Sequence, residues 1–546
     1  MATVLLDPSE DPLAHSPRGP ELDQRPPRTA QAIFAAVLVG GLAYAGYSVM
    51  GDIGASGTAL AAGTLVLLGV ALLIALGFEF VNGFHDTANA VATVIYTNSM
   101  PANLAVVWAG FFNFLGVMLA SGAVAWSIVT LLPVDLILNV GSAAGFAMIF
   151  ALLLAAVIWN LATWYVGLPN SSSHTLIGAV LGVGVANQLI AAGSMAGTSG
   201  VDWSQAMKVL NGLWMAPLIG FFAAFILLWL MKLLLRNPNL FREPEPGVPP
   251  PTGIRALLIG TCTAVSFAHG SNDGQKGMGL IMLILIGCAP TAYALNRGMP
   301  ASETPALIAS ANAAASVYQR IGAQAQLTPV QARDTLRVAL QRRDVTQPVT
   351  ADALTSLSRD LAARMTQYRA LANVPADQTA ELRRDMYLLH DTGALLLKRG
   401  DAKQAFTEAG VNDLKRFQDQ LEKGTRNIPL WVKIAVAIAL GLGTMIGWKR
   451  IVITVGEKIG KTHLTYGMGA SAEIVAAGTI LAADHFGLPV STTHILSSGV
   501  AGASVANGAG LQGRTIRNMA LAWTLTLPIA MALSGTLYWL FLQIAR

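Results

Sequence analysis

Six apolar runs decide what this chain can become: residues 31–50, 104–132, 143–166, 206–235, 429–448 and 516–541. A helix needs roughly 20 apolar residues to cross the hydrocarbon core of a bilayer, and these runs are of that order. Lipid offers no partner to an open backbone N–H or C=O, so such segments must satisfy themselves as helices. Segments 59–84, 254–289 and 464–486 are also apolar but carry glycine, polar or acidic breaks. The expected class is an all-α polytopic membrane protein with about 10–12 membrane segments, some of them broken or re-entrant. Only 12% of the residues are charged, about half the usual share of a soluble domain.

Between these runs the chain divides itself. Residues 1–30, with six prolines and mixed charges, read as a disordered tail and not as a cleaved signal. Residues 31–236 form a first membrane unit with an extra N-terminal helix, and 237–253 a Pro-rich loop. Lys232, Arg236, Arg242 and Arg255 flank that loop and assign it to the cytoplasmic side. A second unit begins at 254–295 and resumes at 429–546. Segment 296–428 holds about half of all Lys, Arg, Asp and Glu, and stretches such as 353–372, 378–398 and 404–423 have helical spacing, so it reads as a soluble helical insert. The net charge of +5 gives no case for nucleic acid, because basic residues of a membrane protein anchor its loops. Cys262 and Cys288 lie in apolar stretches and support neither a disulfide framework nor a metal cluster.

The two units are copies. GLPNSSSHTLIGAVLGVGVANQ (167–188) returns as GLPVSTTHILSSGVAGASVANG (487–508) at a constant offset of 320. A weaker pair is NGFHDTANAVA (82–92) and HGSNDGQKGMG (269–279), which aligns Asp86 with Asp273. Asp86 precedes His174 by 88 residues and Asp273 precedes His494 by 221; the difference, 133, is the length of segment 296–428. Removing the insert makes the halves congruent. Duplicated halves are typical of secondary transporters, with substrate near the midplane where the repeats meet. Inverted repeats are expected.

Pro169 followed by Asn170, Ser171, Ser172, Ser173 and His174 reads as a helix start, repeated at Pro489 with Ser491, Thr492, Thr493 and His494. A helix start inside the membrane aims free N–H groups and a positive dipole end at what precedes it, which suits an anion. Two facing starts could hold a tetrahedral oxyanion. Asp86 and Asp273 are acids in apolar surroundings, which by default suggests function. Asn89 shares a face with Asp86, and these oxygens suit a hard cation. Glu79 and Glu473 read equally as proton carriers or interfacial residues. His174 and His494 read either as proton groups or as residues that fix the helix starts. The pair His85-Asp86 also occurs in phosphohydrolases, but no further metal-spaced cluster accompanies it, so an enzyme is not expected.

Together NGFHDTANAVAT, AHGSNDGQKGMGL, GLPNSSSH and GLPVSTTH resemble the signatures of the PiT family of inorganic phosphate transporters, over nearly all of residues 59–541 apart from the insert. The resemblance implies import of inorganic phosphate by cation symport across a bacterial cytoplasmic membrane, with no resident cofactor. Ser171, Ser172, Ser173, Ser491, Thr492 and Thr493 would bind phosphate. Asp86, Asn89, Asn272, Asp273, Lys276, His85 and Glu79 would couple the driving cation, H⁺ or Na⁺. His85 stands where the family usually has Asn, and Lys276 stands opposite Asn89 in the second copy. Both departures resemble the bacterial low-affinity branch, which implies proton coupling and a divalent metal–phosphate complex as cargo. Alternatives are a sulfate or other oxyanion symporter, a sodium-coupled phosphate symporter, a passive anion channel, and a sensor using the insert as output. Lys276 has a bland reading too, snorkelling to an interface. Association into a homo-oligomer is left open.

Overall fold

The structure is a computed structural model that describes residues 22, 26–57, 59–129, 131, 142–192, 201, 203–235, 237–245, 247–399 and 406–545. Most of the tail read over 1–30, and the connections carrying Asp135 and Asp202, lie outside the described residues. Among those described, regular structure is helical, with a single isolated bridge between Gly460 and Leu511.

The membrane helices run in chain order. They are α1 (Arg28–Ala55), α2 (Ala62–Asp86), α3 (Ala88–Tyr96), α4 (Ala102–Leu119), α5 (Ala123–Val129), α6 (Ala143–Tyr165), α7 (Ser172–Ala192) and α8 (Trp203–Leu234). The second unit opens with α9 (Thr252–Cys288). After five insert helices it continues as α15 (Leu430–Thr444), α16 (Lys449–Glu457), α17 (Tyr466–His485), α18 (Thr492–Ala506) and α19 (Gly513–Ala545). Among the described residues, eight helices are long and apolar enough to span a bilayer, or nine with one bent pair. This falls below the expected ten to twelve, for identifiable reasons. The 37-residue α9 carries His269, Asn272, Asp273, Gln275 and Lys276 at its centre, which lowers its apolar character. The run at 104–132 is divided between α4 and α5, and in the run at 429–448 the helix α15 is only 15 residues long.

The halves interlock reciprocally. The carbonyl of Leu440 lies against the Cα of Gly83, and the carbonyl of Asn113 against Gly270. Likewise Phe80 presents its carbonyl to Gly443, and Phe267 presents its own to Gly116. Each contact is the other's counterpart: 83 to 270 and 80 to 267 are the offset of 187 that relates Asp86 to Asp273. The same exchange recurs where Gly182 meets the Met531 carbonyl and Gly502 meets that of Phe221. Small residues bring backbones close enough for dispersion to hold helices together where lipid provides no hydrophobic drive.

The insert consists of α10 (Thr304–Gln319), α11 (Pro329–Arg342), α12 (Pro348–Tyr368), α13 (Ala376–Leu397) and α14 (Glu408–Thr425). It encloses a hydrophobic core of its own, including Leu307, Leu336, Leu357, Leu389 and Phe417. Its ends meet where Asn296 N donates to Gly424 O at 2.8 Å. At Pro429 the chain turns by 72° from α14 into α15.

Candidate functional site

The repeated Gly-Leu-Pro element has a local cause. After α6, Gly167 takes φ +70, and after α17, Gly487 takes φ +64, conformations that only glycine adopts cheaply. Leu168 N then donates to Thr163 O at 3.0 Å, and Leu488 N to Ala483 O at 2.9 Å. These bonds close each helix in the six-to-one pattern of a Schellman cap. Pro169 and Pro489 follow, and a new helix starts at once. Ser171 Oγ accepts from His174 N at 3.1 Å, and Ser491 Oγ accepts from His494 N, also at 3.1 Å. The serines are the N-caps of α7 and α18. Thus each copy folds into two helices joined by a tight turn, with the second helix start buried in the protein. The two starts meet: the rings of His174 and His494 are 4.3 Å apart, and Trp523 stacks on His494 at 4.2 Å.

The acidic motifs reach these starts crosswise. Asn89 Nδ2 donates to Thr493 Oγ1 at 2.9 Å, and the Thr493 hydroxyl donates to Asp86. In the other half Lys276 Nζ donates to Ser173 Oγ at 2.5 Å and pairs with Asp273 at 2.6 Å. Thr493 and Ser173 are repeat equivalents, as are Asn89 and Lys276, so one arrangement is built twice with different chemistry. Lys276 is fully buried, which rules out snorkelling. Its ammonium replaces the neutral amide of Asn89 and compensates the Asp273 carboxylate, a group too costly to bury unpaired. Asn272 anchors the turn before α18, donating to Leu488 O at 3.1 Å and accepting from Val490 N at 3.3 Å.

His269 went unnoticed in the sequence, yet it joins the two acids. Its Nε2 lies 3.6 Å from Asp86 and 3.6 Å from Asp273, while its Nδ1 lies 2.8 Å from Asn113 Oδ1. The repeat gave no cue, since the equivalent position is Asn82. The available signal was spacing: a histidine four residues before Asp273 shares its helix face. Donor atoms of Asp86, His269 and Asp273 lie within 4.8 Å of one another and form a set that could hold a cation. His85 lies 3.7 Å from Asp86 and 3.3 Å from Thr163 Oγ1.

Four of the six hydroxyls expected to serve an anion are engaged by protein groups: Ser171 and Ser491 as caps, Ser173 on Lys276 and the Val490 carbonyl, Thr493 on Asp86 and Asn89. The remaining two, Ser172 Oγ and Thr492 Oγ1, are buried and have no hydrogen-bond partner. They are repeat equivalents at the first turns of α7 and α18. Buried polar atoms nearly always have a partner, so this matched pair stands out. Both carboxylate oxygens of Glu79 are likewise buried without a partner, and Glu79 packs against Gly277 next to Lys276. Glu473 is buried elsewhere, accepting from the Thr261 hydroxyl.

Apolar spans around a buried polar centre shared by two like halves define a multi-pass membrane protein. A sequence profile of the phosphate transporter family matches residues 82–534. The chain is 41% identical over 496 residues to "Low-affinity inorganic phosphate transporter PitB" of Escherichia coli (strain K12), covering 88% of this chain and 98% of the relative. It is 42% identical over 506 residues to "Low-affinity inorganic phosphate transporter PitA" of the same strain, covering 89% and 99%. A solved structure described as "The sodium-dependent phosphate transporter" aligns with TM-score 0.48 and 18% identity, covering 88% of this chain and 100% of that one. The chain belongs to the phosphate transporter family.

Proposed function

We propose that this protein imports inorganic phosphate across the bacterial cytoplasmic membrane by proton-coupled symport, binding the anion between the starts of α7 and α18. The observation that carries the reading is the matched pair of unpartnered hydroxyls, Ser172 and Thr492, at two helix N-termini. Backbone N–H groups and positive dipole ends there favour a negative ligand. Asp86 and Asp273 then serve as coupling groups, each tied to a hydroxyl helix start of the opposite half, so that occupancy at one is felt at the other. The repeats are read as inverted, which lets one half rock against the other around a fixed site.

Protons are favoured over sodium as the driving ion because Lys276 sits where Asn89 sits in the other half. A fixed ammonium 2.6 Å from Asp273 occupies the place a sodium ion would take there. His269 and His85 supply further titratable groups beside Asp86, and Glu79 another beside Gly277. The cluster of Asp86, His269 and Asp273 also suits a divalent cation arriving with the cargo as metal–phosphate, since carboxylate and imidazole are its usual ligands. The reading is tested by uptake of radiolabelled phosphate into proteoliposomes with sulfate as competitor. Saturable phosphate uptake that excess sulfate leaves intact is expected; preferential uptake of sulfate would overturn the assignment of substrate.

A further inference from the structure

A cavity of about 830 Å³ lies between the insert and the membrane helices. Its membrane wall includes Ala123, at the start of α5, and Gly487 and Leu488, in the turn between α17 and α18. That turn is the wall of the candidate site as well, for Asn272 donates to the Leu488 carbonyl, and Val490, two residues on, accepts from Ser173 and Lys276. Gly487 approaches Ala123 so closely that a Cβ on the glycine would lie 3.3 Å from that of Ala123. The cavity floor therefore adjoins the phosphate site directly, and the insert forms its roof.

The roof carries more basic than acidic groups: Arg343, Lys398, Lys415 and Arg426 against Asp391, Asp419 and Glu422. Its acids Asp391 and Glu422 are matched within the insert. His390 bridges them at 2.7 and 2.9 Å, and Arg426 pairs with Glu422 at 2.7 Å. Burial opposes charging of His390, but the two carboxylates hold it above its ordinary value. That leaves Lys398 and Lys415 from the insert, and Lys208 from α8, lining the cavity without an ion-pair partner among the described residues, against a single further acid, Asp419. Three lysines, Lys208 from α8 on the membrane side, Lys398 at the C-cap of α13 and Lys415 from α14 on the insert, converge on one concave space.

We propose that this cavity is an anion-collecting vestibule, in which Lys208, Lys398 and Lys415 concentrate phosphate at the entrance of the transport site. The inference rests on the phosphate-transport reading. Clefts lined by one sign of charge raise the local concentration of an oppositely charged solute, and salt weakens the effect. The lysines act before binding and leave the transport cycle itself unchanged. The insert thus contributes to apparent affinity, not to turnover.

The test compares the full-length reconstituted protein with two triple variants, Lys208→Gln/Lys398→Gln/Lys415→Gln and Lys208→Arg/Lys398→Arg/Lys415→Arg. At low ionic strength the glutamine triple should show a half-saturation for phosphate raised roughly fivefold, with an unchanged maximal rate. Near-physiological salt should shrink the difference, and the arginine triple should behave as wild type. A glutamine triple with wild-type half-saturation and salt dependence overturns the proposal, as does an arginine triple equally impaired. A wild-type protein that takes up no phosphate at all would overturn the transport reading, and this inference with it.

Discussion

Ser172 and Thr492 differ from their neighbours in having nothing to bond, and that difference is testable. Ser172→Ala or Thr492→Ala should weaken phosphate binding by about 1–3 kcal/mol, the cost of a lost partner to a buried polar group. Ser171→Ala and Ser491→Ala remove helix caps instead and should lower stability by about 1 kcal/mol. Binding isotherms and thermal melts separate the two; equal binding in all four variants would refute the division of labour. At the acids, Asp86→Asn and Asp273→Asn should abolish concentrative uptake while leaving membrane insertion intact, and wild-type accumulation in either variant contradicts their role. Lys276→Met would remove the ammonium from Asp273 and leave His269 as its neighbouring base, with no polar group in place of the lysine, so Lys276→Asn is the informative change. It restores the Asn89 pattern of the first half, and should weaken proton-driven uptake. The residue types of this site were legible because they repeat. Their pairing was not: nothing in the sequence says that Asp86 meets the hydroxyl of the second copy and Lys276 that of the first. His269 was hidden for the opposite reason, since its counterpart Asn82 shares none of its chemistry.

At the scale of elements, the Gly-Leu-Pro signature was legible as a helix start, but its first half is a helix stop. One five-residue stretch ends a helix in a left-handed glycine, bars continuation with proline and caps the next helix with serine. The close backbone approaches were not legible, because a glycine facing a carbonyl of the other half looks like any glycine in an apolar run. They carry a clear expectation. A Cβ at Gly83 would collide with the backbone of Leu440, and one at Gly443 with the Phe80 backbone. Gly83→Val and Gly443→Val should therefore lower thermal stability and transport together. Gly46→Val and Gly69→Val, at positions with open space around the Cα, should do neither. Comparable melting temperatures across the four variants would argue against interlocked halves. Segment 254–289 showed the limit of hydropathy most clearly. Its polar centre suggested a hairpin or a broken helix as readily as a crossing, yet it is one helix of 37 residues, its polar side chains buried by neighbouring helices.

At the scale of the molecule, the segment that the repeat arithmetic sets apart has a hydrophobic core, and its ends lie side by side. Excising residues 297–423 and joining the ends with a short Gly-Ser linker should leave a folded protein that still transports, with a raised half-saturation for phosphate. A folded deletion variant that binds no phosphate would contradict this. What the sequence left open was the relation of the insert to the site, because packing between segments distant in the chain leaves no local pattern. A site with a lysine in place of one cation ligand should be driven by protons. The direct measurement is phosphate uptake into proteoliposomes under separately imposed gradients. An inward proton gradient in the absence of sodium should drive phosphate above its equilibrium level, and a sodium gradient at constant pH should not. Uptake that requires sodium and ignores the imposed pH gradient would contradict the account.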